Sequence, residues 1–218
     1  MALDKHINFF EIQKASEKPG CPLCSIIVKR AEQYLDNMLF EHVSDRPFRA
    51  NHRLAGGFCA FHSRGLESFR DGLAVAIMGR DILEDRIISF EKKTPWAPKG
   101  RCPVCVEKDR IEEEYLSFLA GSGGDSKEES ELRRDFCAGD GLCAPHYSGL
   151  LFNPKGKSRK PPQWIRDFHE NKFRGLMRRV EKFLELSVYG RQKEFATLSE
   201  QDQLVWKELA RALRGTCQ

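Results

Sequence analysis

From Cys24 to His42 the apolar residues Ile27, Ala31, Tyr34, Leu35, Met38 and Leu39 recur at steps of three and four, with Lys29, Arg30, Glu32 and Asp36 outside that stripe. The spacing predicts an amphipathic helix with one buried face. After Cys105 the pattern returns with Ile111, Tyr115, Leu116 and Leu119. Leu73, Ile77, Ile82, Leu83, Ile87 and Phe90 predict a long helix that ends near Lys93, because Pro95 and Pro98 stop it. A Pro/Lys-rich loop at 153–162 precedes another long helical stretch from Trp164 to about Tyr189. Ser199 is placed to cap a last helix carrying Leu204, Val205, Leu209, Ala212 and Leu213. No segment alternates with period two for long enough to predict a sheet, so the expected class is all-α.

Composition narrows what such a helical chain can be. With 218 residues, 40% hydrophobic and 31% charged, it can bury a real core. A formal charge of +4 is too mild for a general polyanion-binding surface, so any such contact has to be local. The first ten residues, Met1 to Phe10, lack the basic start, apolar core and cleavage site of a secretory signal. No stretch reaches the roughly 18 apolar residues of a membrane span, so insertion into a membrane is not expected. The expected location is therefore cytoplasmic and reducing, which favours metal thiolates over disulfides.

The chemistry sits in a pattern that occurs twice. Cys21-Pro22-Leu23-Cys24 is followed by Cys59-Ala60-Phe61-His62, and Cys102-Pro103-Val104-Cys105 by Cys143-Ala144-Pro145-His146. Shifting by 81 positions carries Cys21 to Cys102, Cys24 to Cys105, Glu32 to Glu113 and Tyr34 to Tyr115; a shift of 84 then carries Gly57 to Gly141, Cys59 to Cys143 and His62 to His146. The chain reads as an internal duplication, with the three extra residues near Gly121-Ser122-Gly123-Gly124. Two sequential repeats are expected, 1–98 and 99–218, the second including the C-terminal helices and both packed as one globular unit. Three sulfurs and one imidazole per repeat match a closed tetrahedral zinc site, so two Zn(2+) ions per chain are expected on Cys21, Cys24, Cys59 and His62, and on Cys102, Cys105, Cys143 and His146. A proline after the first cysteine suits the first turn of a helix, so each ion is expected to clip together two helix starts.

Phe9-Phe10-Glu11-Ile12, the Pro19–Cys24 and Gly56–His62 turns, and the C-terminal Trp206–Leu213 segment together resemble an uncharacterised bacterial and archaeal family of unknown function, DUF6062. The resemblance covers most of the chain. It implies the two-site layout and supplies no reaction. Gly141-Leu142-Cys143 in place of Gly57-Phe58-Cys59 is a conservative departure.

Other residues have plainer readings. Cys137, six positions before Cys143, is read as a spare, partly buried thiol, with replacement of a ligand as the alternative. Cys217 is expected to be free near a frayed end. His6, His42, His52 and His169 have no repeated counterparts and read as surface or capping residues, and Glu112-Glu113-Glu114 as a solvent face. Phosphate loops, Ser/His/Asp arrangements and zinc-protease helices are absent from the sequence. The favoured function is a zinc-stabilised interaction or scaffold module whose partner is another protein, with no catalytic residues. The alternatives are a redox or iron–sulfur protein using the same ligands, and a weak nucleic-acid binder through Lys155, Lys157, Arg159 and Lys160.

Overall fold

The computed structural model describes residues 2–68, 71–124, 126–153, 156 and 158–215, with side chains from residue 7 onward. Its helices are α1 (Ala2–Ser16), α2 (Pro22–Glu41), α3 (Arg46–Leu54), α4 (Ala60–Gly65), α5 (Gly72–Glu91), α6 (Pro103–Ala120), α7 (Lys127–Ala138), α8 (Ala144–Leu151), α9 (Gln163–Leu186), α10 (Gln192–Phe195), α11 (Glu200–Gln203) and α12 (Val205–Arg214). Among the described residues there is no strand, only an isolated bridge between Phe152 and Ser158. The all-α expectation holds. No described helix is long and apolar enough to cross a membrane.

The chain divides into two compact units, residues 27–112 and residues 1–26 with 113–218. This division cuts across the expected repeats at 98/99, because each unit takes segments from both.

In the 27–112 unit, the α2 stripe is buried as predicted: Ala31, Leu35 and Met38 pack with Val104 against Phe48, Phe58 and Leu66. Asp45 caps α3 by accepting the Phe48 N–H at 3.2 Å, and Asp71 caps α5 by accepting the Ala74 N–H at 2.9 Å. α5 turns only part of its apolar surface inward: Ala74 and Met78 are buried with Leu39. Arg49 holds Asp81 through both carboxylate oxygens, with contacts of 2.6–2.9 Å, and one turn on Arg53 holds Asp85 at 2.6 and 2.8 Å. These guanidinium–carboxylate forks turn the polar edge of α5 toward α3 and leave Leu73, Leu83, Ile87 and Phe90 exposed. Arg49 beside Asp81 holds that carboxyl below its usual range.

In the other unit α1 packs on α7, and α12 packs on α8 and α9. Phe136 is fully buried and meets Trp164, Phe168 and His169 ring to edge or tilted, with centroids 5.8–5.9 Å away. Leu176 of α9 packs with Val205 and Ala212 of α12. The expected single helix after Ser199 is broken. Ser199 does accept the Asp202 N–H at 3.1 Å, but α11 is one turn long, and Leu204 leaves helical geometry at φ −102°, ψ 12°. Arg179 of α9 spans the break, donating to Asp202 at 2.6 Å and Glu208 at 2.7 Å.

Candidate metal centres

All four motifs lie at helix starts. Pro22 and Pro103 are the first residues of α2 and α6, so Cys21 and Cys102 precede the helix while Cys24 and Cys105 return to the same side in its first turn. Cys59 and Cys143 cap α4 and α8 with nearly identical backbones, φ −68°, ψ 165° and φ −70°, ψ 165°, which put His62 and His146 one turn on beside their cysteines.

The structure gathers the eight predicted residues into two clusters, in a combination other than the expected one. Cys21 and Cys24 meet Cys143 and His146, and Cys59 and His62 meet Cys102 and Cys105. Each Cys-Pro-x-Cys turn thus joins the Cys-x-x-His turn of the other expected repeat. The expected grouping paired motifs adjacent in sequence, whereas the contacts join the first motif with the fourth and the second with the third, and spacing alone does not distinguish the two.

In the first centre, His146 Nδ1 lies 3.3 Å from Cys21 Sγ, 3.5 Å from Cys24 Sγ and 3.3 Å from Cys143 Sγ, with Cys24 and Cys143 sulfurs 3.8 Å apart. In the second, His62 Nδ1 lies 3.3 Å from Cys59 Sγ and 3.5 Å from Cys102 and Cys105 Sγ, and the Cys59 and Cys105 sulfurs are 3.7 Å apart. A tetrahedral ion with metal–sulfur bonds of about 2.3 Å and metal–nitrogen bonds of about 2.0 Å has edges of about 3.8 Å between sulfurs and about 3.5 Å from sulfur to nitrogen. Both clusters match these edges. Each can hold one metal ion, and all four ligand atoms lie within 4.8 Å of one another.

The donors of each set also shift one another. Burial and the neighbouring Cys143 and Cys24 thiols push Cys21 far above the ordinary thiol range. Burial and contact with Cys59 and Cys102 push Cys105 up to about 12. Burial disfavours charge on His146, but its contacts with Cys143 and Cys24 outweigh that and raise it to about 10. Cys59 is the exception: burial raises it, yet the backbone N–H groups of His62 and Phe61 at the start of α4 bring it below the usual value.

The two centres differ in enclosure. All four ligands of the first are buried, whereas Cys59 and Cys105 of the second are half-exposed. His62 Nε2 is buried without a hydrogen-bond partner, so the nitrogen opposite the ligand atom lacks the acceptor that ordinarily orients a metal-binding imidazole.

Two further residues shape the first centre. His169, expected at the surface, is completely buried on α9. Its Nε2 accepts the Leu142 N–H at 2.8 Å, its Nδ1–H donates to the Ile165 carbonyl at 2.8 Å, and its ring stacks on Tyr147 at 4.4 Å. Burial depresses it to about 4, so it is a neutral imidazole that holds the turn entering Cys143. Gly215, at the end of α12, has φ 70° and ψ −166°. A Cβ there would lie 2.7 Å from Cys24 Sγ and 2.9 Å from Cys143 Sγ. The sequence signal for Gly215 was its place just past the last periodic residue of a helix. His169 had none, because its role depends on tertiary placement.

The remaining candidates fall outside the clusters. Cys137 joins neither, and burial raises its thiol. Cys217 and the side chain of His6 lie outside the described residues, as do Lys155 and Lys157. His42 is half-exposed, beside Asp45 at 3.6 Å and stacked on Phe48, in keeping with a surface or capping role. His52, by contrast, is buried between Phe48 and Phe58, and burial lowers it to about 4. Arg159 of the basic loop is bound by Glu113 at 2.5 Å and Ser117 at 3.1 Å, so Glu113 is a tertiary ion-pair partner as well as part of an acidic run.

Over 176 residues the chain is 32% identical to an uncharacterised 23.9 kDa protein in the xynA 3′ region of Caldicellulosiruptor sp. (strain Rt8B.4), the match covering 78% of this chain and 83% of that one. No protein-family model and no solved structure matches the chain. At that identity and coverage, it belongs to the same family as the Caldicellulosiruptor protein.

Proposed function

We propose that this protein is a non-enzymatic helical interaction or scaffold module held by two structural zinc ions. The closed donor sets carry the reading: three sulfurs and an imidazole surround each position, leaving no ligand site for a reacting water. Four donors at single-ion spacing favour one ion per site over an iron–sulfur cluster, which distributes its cysteines over several irons. Zinc suits a thiolate-rich tetrahedral set and has no redox chemistry of its own. The matching backbones at Cys59 and Cys143 support an internal duplication, in which each repeat supplies half of each centre. That arrangement agrees with the DUF6062 resemblance and with a reducing, cytoplasmic setting.

The exposed seam of α5 is the surface we assign to a protein partner. Leu73, Leu83, Ile87 and Phe90 are 73%, 59%, 46% and 71% exposed. The last three follow at i, i+4 and i+7, the spacing with which one helix packs along another.

The test is elemental analysis of purified protein, with melting before and after chelation. Two zinc equivalents and a lost cooperative transition on chelation are expected. Iron with acid-labile sulfide, or unchanged melting without metal, would refute the structural-zinc reading. For the interaction, Leu83→Glu with Phe90→Glu should abolish partner crosslinking while zinc content and melting stay unchanged. Retained crosslinking would remove the α5 assignment.

Nucleic-acid binding through Lys155, Lys157, Arg159 and Lys160 is a weaker alternative, because Arg159 is already engaged by Glu113. Redox chemistry is the other alternative, favoured at the second centre by the half-exposed Cys59 and Cys105 sulfurs 3.7 Å apart.

A further inference from the structure

Beside the first centre lies a cavity of about 430 Å³, a volume in the range of small-ligand sites. Its floor includes Gly20, Cys21 and Cys143, and its walls come from α9 and α12. Three cations line it: Lys172 from α9, and Lys207 and Arg211, one turn apart on α12. Two carboxylates line it as well, but each has a hydrogen-bonded partner. Asp140 accepts the Gly20 N–H at 2.6 Å, and Glu208 accepts from Arg179 at 2.7 Å.

None of the three cations forms an ion pair with a described residue. Lys172 is half-buried, and burial lowers its ammonium, with Asp140, Glu208, Cys21 and Cys143 working against that shift. A half-buried ammonium lining a cavity with two further cations gains from a polyvalent anion that contacts them together. A guanidinium with two ammonium groups suits the several oxygens of a phosphate better than the two of a carboxylate. The metal ligands on the floor are complete, so the anion is held by side chains and not by the ion.

We propose that this cavity is a binding site for a small phosphate-class anion, held by Lys172, Lys207 and Arg211. The proposal goes beyond the scaffold reading and does not require that reading to hold.

The experiment is calorimetric titration of the full chain as purified, at low ionic strength, with pyrophosphate and separately with malonate. Saturable one-site binding of pyrophosphate is expected, tighter than malonate. Lys172→Gln and Arg211→Gln should each weaken it by about tenfold or more, as loss of a charge-assisted hydrogen bond does. Arg211 is exposed, so its variant is informative even if Lys172→Gln does not fold; melting and metal content check both. Absence of pyrophosphate binding at millimolar concentration, unchanged affinity in Arg211→Gln, or preference for malonate would each overturn the proposal.

Discussion

His169 Nε2 accepts the backbone N–H of Leu142 at 2.8 Å, one residue before the candidate metal ligand Cys143. The bond requires an unprotonated Nε2, since an imidazolium has no acceptor. A protonation event on α9 therefore bears directly on the turn that presents Cys143.

The consequence is a pH dependence with a definite sign. His169 is depressed from 6.5 to about 4, so between these values the unfolded chain binds a proton that the folded chain does not. Stability from this group is complete above pH 6.5 and is lost as pH falls toward 4. The shift corresponds to about 3 kcal/mol at most. His169→Gln keeps an acceptor for Leu142 without titrating. Denaturant unfolding from pH 7 to 4 should show wild type losing up to about 3 kcal/mol more than this variant. Parallel pH profiles would refute the assignment.

Gly215 gives a second expectation. Its φ of 70° and ψ of −166° lie in a region open essentially to glycine alone, and a Cβ would press on Cys24 and Cys143 sulfurs. Gly215→Ala should lower stability by about 1–3 kcal/mol and reduce bound metal from two ions toward one. Metal analysis with thermal melting measures both. Full metal content with unchanged melting would mean that the C-terminal end of α12 does not constrain the first centre.

Enclosure predicts an order of thiol reactivity. Cys59 and Cys105 are half-exposed, while Cys21, Cys24 and Cys143 are buried. Of the six ligand thiols, Cys59 and Cys105 should alkylate first under native conditions, and metal should leave the second centre before the first. Mass spectrometry of digests taken through the reaction reads the order. Faster labelling of Cys21 or Cys24 would contradict the enclosure seen here.

Much of this was legible in the sequence because it depends on local spacing. Ile27, Ala31, Leu35 and Met38 mark α2 by their period and are buried there. The eight ligands are recognisable because two residues one turn apart at a helix start must share a side. Three features depend on tertiary placement and leave no local signal. His169 reaches the Leu142 N–H only because α9 passes behind that turn. Leu83, Ile87 and Phe90 of α5 are exposed while Arg49 and Arg53 draw Asp81 and Asp85 toward α3. The combination of motifs is the third, since any two Cys-Pro-x-Cys and Cys-x-x-His turns make a chemically complete set.

That last ambiguity has a direct genetic resolution. Cys24 and Cys143 share the first centre, with sulfurs 3.8 Å apart, whereas Cys59 belongs to the second. Removing one ligand from a closed four-donor site weakens that site and leaves the other complete. Cys24→Ala with Cys143→Ala should therefore retain one metal ion, because both changes fall on one centre. Cys24→Ala with Cys59→Ala should retain none, because each centre loses a ligand. If each repeat instead closed on itself, the two results would exchange. Metal stoichiometry of the purified double variants, with helicity checked by circular dichroism, decides between crossed and sequential pairing without requiring that the metal be identified.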